Sequence, residues 1–150
     1  MNNPIIALLG NPNVGKTSLF NRITKLNQKV GNYPGITVEK REGQVKANSK
    51  TYRIIDLPGT YTLFPSSMDE EVVFNTLVNK DSSFRPNLVV VVAEPTNLKR
   101  SIILYQQARE LGLPAIFVIN MIDEAREKGI TIDVQKLEHL LNTKVYQTNA

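Results

Sequence analysis

Residues 10–17 read Gly10-Asn11-Pro12-Asn13-Val14-Gly15-Lys16-Thr17, and this stretch decides the fold. It fits the pattern GxxxxGK[ST] between an apolar run at residues 5–9 and a helical pattern that begins at Thr17. A loop of this kind turns successive backbone N–H groups inward, where the helix N-terminus adds partial positive charge. The sequence therefore predicts a phosphate-binding loop, in which Lys16 bridges the β- and γ-phosphates and the Thr17 hydroxyl ligates Mg²⁺.

Outward from this loop, short β-branched runs alternate with helical patterns. The predicted strands are residues 5–9, 38–46, 51–56, 88–92, 115–119 and 144–148, and the predicted helices are residues 17–26, 69–79, 98–111 and 133–141. Residues 27–37 are predicted to form an exposed loop because they carry two glycines and a proline. This order predicts an α/β three-layer sandwich with a mostly parallel, six-stranded sheet and one antiparallel edge strand at residues 38–46. Ligands of such sheets bind beyond the carboxyl ends of the strands.

Composition narrows the class of protein. The 150 residues are enough for one domain with a sizeable core. They include no cysteine and a single histidine, His139, which excludes a disulfide scaffold and leaves almost nothing for a zinc site. The net charge is +4, and residues 1–50 hold eight basic and two acidic side chains. The longest apolar run, residues 88–93, is too short to span a bilayer, so we expect a soluble chain in a reducing, cytoplasmic compartment.

A second motif, Asp56-Leu57-Pro58-Gly59, follows the predicted strand at residues 51–56. An acidic residue at that strand end can hold Mg²⁺ through water, and the Gly59 N–H can contact a γ-phosphate. A plain Pro-Gly turn would explain the motif taken alone. Thr37, at the end of the predicted loop, could complete the Mg²⁺ shell when the third phosphate is bound, or it could simply be a solvated strand start.

A third motif, Asn120-Met121-Ile122-Asp123, follows the predicted strand at residues 115–119. The Asp123 carboxylate can accept hydrogen bonds from both N1–H and N2–H₂ of guanine. Adenine lacks that pair of donors and would leave the carboxylate desolvated and unpaired, which can give large discrimination.

The order and spacing of these motifs resemble those of the translation-factor-like P-loop GTPases. The amino-acid sequences of the motifs resemble more closely those of the N-terminal G domain of FeoB, the bacterial ferrous iron transport protein B. The likeness lies in GNYPGITVE at residues 31–39, DLPGTY at 56–61 and NMIDEA at 120–125, and it extends to residues 96–98 and 129–133.

The resemblance implies a Ras-like three-layer α/β/α fold for residues 1–150. The chain would be a GTP-binding and GTP-hydrolysing G domain that ends in the last guanine box, without the helical and transmembrane domains of its parent protein. That parent would be a ferrous iron transporter, with this domain on the cytoplasmic face of the bacterial inner membrane as its regulator.

The resemblance also implies roles for individual residues. The expected GTP- or GDP-binding residues are Gly10, Asn11, Pro12, Asn13, Val14, Gly15, Lys16, Thr17, Ser18, Gly35, Ile36, Thr37, Asp56, Gly59, Asn120, Met121, Asp123, Thr148, Asn149 and Ala150. The expected catalytic residues are Asn13, Lys16, Thr37 and Gly59. Mg²⁺ would be held by Thr17, Thr37 and Asp56.

Departures from the usual GTPase pattern bear on mechanism. Thr60 stands where many small GTPases have a glutamine that orients the attacking water, and Met121 replaces a common lysine. Asn13 looks like the asparagine with which potassium-activated GTPases hold K⁺ near the phosphates. The chain is therefore expected to hydrolyse GTP slowly, and K⁺ is expected to raise the rate of hydrolysis.

Partners and alternatives follow from the same residues. One histidine offers no Fe²⁺ site in this fragment, and the sequence lacks the aromatic–basic interleaving typical of nucleic-acid binding. One alternative is a soluble GTPase acting on ribosomes or tRNA modification. Another is a module that binds nucleotide, hydrolyses it negligibly and signals through the occupancy of its nucleotide site. Thr60, in place of a water-orienting glutamine, favours this alternative.

Overall fold

The computed structural model describes residues 3–25, 27–79 and 85–150. In that part of the chain, strands and helices largely alternate. The elements are β1 (Ile5–Gly10), α1 (Lys16–Thr24), β2 (Gln28–Asn32), β3 (Glu39–Ala47), β4 (Lys50–Asp56), α2 (Met68–Val78), β5 (Leu88–Ala93), a 3₁₀ turn (Pro95–Asn97), α3 (Leu98–Glu110), β6 (Ala115–Ile119), α4 (Ile122–Glu127), α5 (Val134–Leu141) and β7 (Val145–Gln147).

The strands form one sheet in the order β2-β3-β4-β1-β5-β6-β7. Strand β1 pairs in parallel with both β4 and β5, and β6 and β7 continue in parallel beyond β5. Strand β3 runs antiparallel to β4 and to β2. The carboxyl ends of β1, β4, β5 and β6 therefore lie at one edge of the sheet, which is where an open α/β sheet binds its ligand.

Helices cover both faces of the sheet. On one face, a large apolar core contains Ile55 of β4, Val73 of α2, Leu104 of α3 and Leu141 of α5. On the other face, Leu19 and Phe20 of α1 pack against strand residues of a second apolar cluster. Strand β5 contributes to both clusters and is buried along most of its length, as its continuous apolar run predicts. The α/β three-layer prediction is confirmed.

The sheet has seven strands where six were predicted, because part of the predicted loop at residues 27–37 is strand β2. Strand β2 pairs antiparallel with β3 over five residues, so β2 and not residues 38–46 forms the edge. Its sequence, QKVGN, shows no apolar alternation because the strand is largely exposed, with Val30 60% exposed. A strand without a buried face leaves no periodic signal in the sequence.

The helices differ from prediction mainly at their ends. Helix α1 ends at Thr24, and Lys25 adopts a left-handed conformation with φ 51°. Leu26, the predicted last residue of that helix, lies outside the described residues. Helix α2 is capped at its N-terminus, since the Glu70 N–H donates to Ser67 Oγ at 3.2 Å. The six-residue α4 was not predicted, because it is too short to show helical periodicity. None of the helices in these described ranges is long and apolar enough to cross a bilayer.

Candidate nucleotide-binding site

The loop at residues 10–17 joins the end of β1 to the start of α1 and lines a cavity of about 360 Å³. Two of its glycines are required by space. A Cβ at Gly10 would lie 2.7 Å from the Val92 carbonyl oxygen, and one at Gly15 would collide with the Asn120 side chain. Gly15 also has φ +79°, which an L side chain rarely adopts. The loop can therefore pass close to β5 and to Asn120, just past β6, only with glycine at these positions.

Eight of the expected nucleotide-binding residues line this cavity. They are Asn11, Pro12, Asn13, Gly15, Lys16, Thr17, Ser18 and Gly59. Asn13 is exposed and has φ 68°, a left-handed conformation that asparagine tolerates better than most residues. Val14, by contrast, is 1% exposed and packs into the core with Phe20, so its side chain anchors the loop.

Lys16 and Asp56 form a buried ion pair at the mouth of this loop. Their side chains are 8% and 4% exposed. The Thr17 hydroxyl donates to the other Asp56 carboxylate oxygen at 3.1 Å. The register of the sheet produces this arrangement, because Asp56 of β4 pairs beside Leu8 of β1. A carboxylate beside a hydroxyl is a donor set suited to Mg²⁺, and a buried lysine is suited to a polyphosphate.

Gly59 brings the second motif against the phosphate loop. A Cβ on Gly59 would lie 3.1 Å from Pro12 Cα, which is closer than most real contacts allow. The next residue, Thr60, donates its backbone N–H to the Gly10 carbonyl at 2.9 Å. A second cavity of about 230 Å³ shares Lys16, Thr17 and Gly59 with the first. The two motifs thus form one continuous concave surface.

Thr37 is not part of this surface in the structure. It is exposed in the turn between β2 and β3, and the next two residues, Val38 and Glu39, line the second cavity instead. Gly35 is also exposed in that turn, with φ +75°. Ile36 packs against an apolar cluster that includes Val38. Gly35, Ile36 and Thr37 are therefore not among the lining residues of these two cavities.

Asn120 is a buried brace between three segments. Its Nδ2 donates to the Val14 carbonyl at 3.0 Å. Its Oδ1 accepts from the Thr148 hydroxyl at 3.0 Å and from the Ala150 N–H at 2.9 Å. The side chain is 0% exposed, so these bonds are shielded from water. Asn120 thereby ties the phosphate loop to the last residues of the chain.

Asp123 lies in the first turn of α4 with its carboxylate toward solvent. It accepts a hydrogen bond from Asn149 Nδ2 at 2.5 Å, and Arg126 lies 4.0 Å away. Met121 precedes this helix in a left-handed conformation, φ 61°. The structure therefore brings Asn120, Asp123 and residues 148–150 together beside the phosphate loop.

A hydrogen-bond network around Thr60 was not predicted. Thr60 is 2% exposed, and its hydroxyl lies 2.7 Å from the Thr62 carbonyl and 3.1 Å from Glu70 Oε2. Hydrogen bonds from Ser66 to Glu70 hold the pKa of that carboxyl below its usual value. The three-residue spacing of Ser67 and Glu70 is typical of a helix cap and does not by itself indicate a contact with Thr60. The Thr60 hydroxyl proton is therefore engaged within this network.

In the described ranges no cluster of three or more His, Asp or Glu residues could hold a metal ion, and His139 is exposed on α5.

The sequence matches a family model described as "Ferrous iron transport protein B" over residues 4–150. It is 43% identical over 143 residues to the Fe(2+) transport protein A/Fe(2+) transporter FeoB fusion protein of Porphyromonas gingivalis. That alignment covers 95% of this chain but 17% of the relative, so the chain spans about a sixth of its length.

Solved structures agree with the sequence matches. The G domain of the T. maritima FeoB iron transporter superposes with a TM-score of 0.89 at 40% identity, over 99% of this chain and 88% of that one. The cytosolic domain of the same transporter in its GMPPNP form gives a TM-score of 0.90 at 40% identity, over 97% and 56%. The fold is that of an α/β P-loop GTPase.

Proposed function

Because this chain belongs to the ferrous iron transport protein B family, we propose that it is the GTP-binding and GTP-hydrolysing domain of a ferrous iron transporter. One observation carries the proposal. The phosphate loop and the Asp56–Gly59 turn follow the neighbouring strands β1 and β4 and line two overlapping cavities, and Asn120, just past β6, is hydrogen-bonded to the loop. Fold likeness alone would leave the function open, whereas this combination of groups fits a nucleoside triphosphate.

The phosphates would lie in the first cavity. Backbone N–H groups of residues 10–17 would surround them, and Lys16 would exchange its ion pair with Asp56 for the β- and γ-phosphates. The Asp56 carboxylate and Thr17 hydroxyl would then be free to face Mg²⁺, Asp56 through water. Bound Mg²⁺ would supply neutralisation of the developing phosphate charge. The Gly59 N–H would contact the γ-phosphate, and Thr37 would join the metal after a movement of its loop.

The base would lie beside Asp123. Its carboxylate, now accepting from Asn149, would accept instead from the two guanine donors. The Met121 side chain would cover the base without adding charge. The Thr148 and Ala150 N–H groups donate to Ile119 and Asn120, which holds this segment in place, so the Asn149 backbone N–H would meet the guanine O6.

Hydrolysis would be slow in the absence of K⁺. The buried Thr60 hydroxyl is engaged with Thr62 and Glu70, so no side chain at this position orients the water. Asn13 is exposed at the cavity and can present its amide oxygen to a monovalent cation. Such a cation would neutralise charge that other GTPases neutralise with an arginine.

The fragment would act as a regulator. In the parent protein, helical and membrane-spanning domains would follow residue 150, and this domain would lie on the cytoplasmic face of the bacterial inner membrane. Fe²⁺ would be the transporter's cargo and would not bind to this fragment.

The proposed GTPase activity is tested by measuring single-turnover GTP hydrolysis in KCl and in NaCl, with GDP release measured in parallel. We expect faster hydrolysis in KCl, and we expect Asn13→Ala to remove the difference while GDP still binds. Equal rates in the two salts would contradict the cation assignment. Hydrolysis much slower than GDP release in both salts would favour a switch that signals by occupancy, the second candidate that the engaged Thr60 hydroxyl supports.

A further inference from the structure

The turn between β2 and β3 closes into a hairpin through two backbone hydrogen bonds. The Tyr33 N–H donates to the Val38 carbonyl at 3.0 Å, and the Ile36 N–H donates to the Tyr33 carbonyl at 3.2 Å. Pro34 and Gly35, with φ +75° at Gly35, occupy the two central positions of a type II turn. Residues 33–38 therefore have a defined conformation.

The Tyr33 side chain joins this hairpin to α2. It is 7% exposed and packs with Val38 of the hairpin and Val72 of α2, and Ile36 packs against the same cluster. These residues are separate from the two main cores of the domain. The cluster is therefore a small apolar contact that holds the two segments together.

The contact rests on apolar packing. The Tyr33 hydroxyl is buried without a hydrogen-bond partner of good geometry among the described residues. Thr76 lies beside it, close enough to lower the Tyr33 pKa, and donates its own hydroxyl proton to the Val72 carbonyl at 2.8 Å. Burial raises the pKa of Tyr33 to about 12, with Thr76 acting in the opposite direction and the charges of Asp56 and Glu42 adding to the rise. An unpartnered hydroxyl weakens such a contact, so it can be released.

We propose that Tyr33 is a latch that holds Thr37 away from the metal site and must leave its pocket on α2 before Thr37 can ligate Mg²⁺. The proposal rests on the proposed function. Thr37 is exposed while Val38, the next residue, is held at both its carbonyl and its side chain by Tyr33. Moving Thr37 into the cavity therefore requires that this contact open.

The latch also links the two segments expected to sense the γ-phosphate. Helix α2 carries Val72 and also Glu70, which accepts from Thr60 next to Gly59. A change at Gly59 that displaces α2 would loosen the pocket for Tyr33, and release of Tyr33 would free Thr37. The Thr37 loop and the Gly59 loop would then respond together to the third phosphate.

The test compares affinities for GMPPNP and GDP, both with Mg²⁺, in matched variants. Tyr33→Ala and Val72→Ala remove the latch from its two sides. A closed latch reduces the fraction of molecules in which Thr37 can reach Mg²⁺. We therefore expect the ratio of GMPPNP affinity to GDP affinity to rise about tenfold in each variant. Val30→Ala, on the exposed face of the same hairpin, is the control and should leave the ratio unchanged. Tyr33→Phe keeps the ring and loses only the unpartnered hydroxyl, so the ratio should fall.

Hydrogen exchange without nucleotide gives an independent readout, because the Tyr33 and Ile36 amides should exchange faster in Tyr33→Ala. A GMPPNP-to-GDP ratio that stays within about twofold of wild type or falls in the two alanine variants, with GDP binding intact, would overturn the latch and leave the proposed function standing. A rise in Tyr33→Phe would overturn it as well. Failure of the wild-type chain to bind either nucleotide would overturn both.

Discussion

Replacing Asn120 with alanine tests the brace on which the whole site depends. The side chain is 0% exposed and makes three well-formed hydrogen bonds, to Val14, Thr148 and Ala150. Each buried hydrogen bond contributes about 1 kcal/mol net, so Asn120→Ala should lower the free energy of unfolding by about 3 kcal/mol. For a domain of this size, that corresponds to a fall in Tm of roughly 6–12 °C.

The assay is urea denaturation without nucleotide, followed by circular dichroism. Asn32→Ala makes the same substitution on the exposed edge strand and should change stability by no more than about 0.5 kcal/mol. Thr148→Val removes one of the three bonds and should lower stability by about 1 kcal/mol. In the double variant the two losses should overlap by about that amount, because they share a bond.

A loss below about 1 kcal/mol for Asn120→Ala would refute this reasoning, since it would mean that the three hydrogen bonds are replaced by water or are not formed. Full additivity of the two variants would separately refute the bond between Asn120 and Thr148.

Three further changes test separate parts of the account. Asp123→Asn should weaken GDP binding and favour xanthosine diphosphate, because the amide presents a donor where guanine needs an acceptor; competition binding measures the preference, and an unchanged preference for GDP argues against base recognition by Asp123. Gly59→Ala places a methyl group 3.1 Å from Pro12 Cα and should weaken GMPPNP binding more than GDP binding. Calorimetry measures both affinities, and equal losses would argue against a contact between Gly59 and the γ-phosphate. For Glu42, burial raises the pKa but the hydrogen bond and charge of Arg53 outweigh it, so the pKa lies below 4.5. The stability that separates wild type from Glu42→Gln should therefore be complete above about pH 4.5 and disappear as the pH falls through the lowered pKa, and urea titrations from pH 3 to 7 that show a constant difference would contradict it.

The parts of the molecule that could be predicted are those with a buried face or a required glycine. Strand β5 is continuously apolar because helices cover both its faces, and residues 10–17 keep their glycines because Val92 and Asn120 leave no room for a Cβ. These patterns are local, so the sequence alone places the sheet, the phosphate loop and the motifs at its edge.

The parts that could not be predicted depend on contacts between distant residues or on exposed ones. Strand β2 carries no periodic signal because it is solvated, and so its pairing with β3 was missed. The contact of Tyr33 with Val72 joins residues 39 positions apart in the sequence, and nothing local requires it. The bond from Asn149 to Asp123 likewise needs the fold to bring the two together.

The measurement that tests the central claim most directly is competition of GDP and ADP for a fluorescent guanine nucleotide bound to the purified chain with Mg²⁺. The account predicts that GDP displaces the probe stoichiometrically, and that ADP fails to do so even at about a thousandfold excess, because adenine leaves Asp123 without a donor. Equal competition by ADP, or no binding of the probe to a folded chain, would contradict the claim that this is a guanine nucleotide-binding domain.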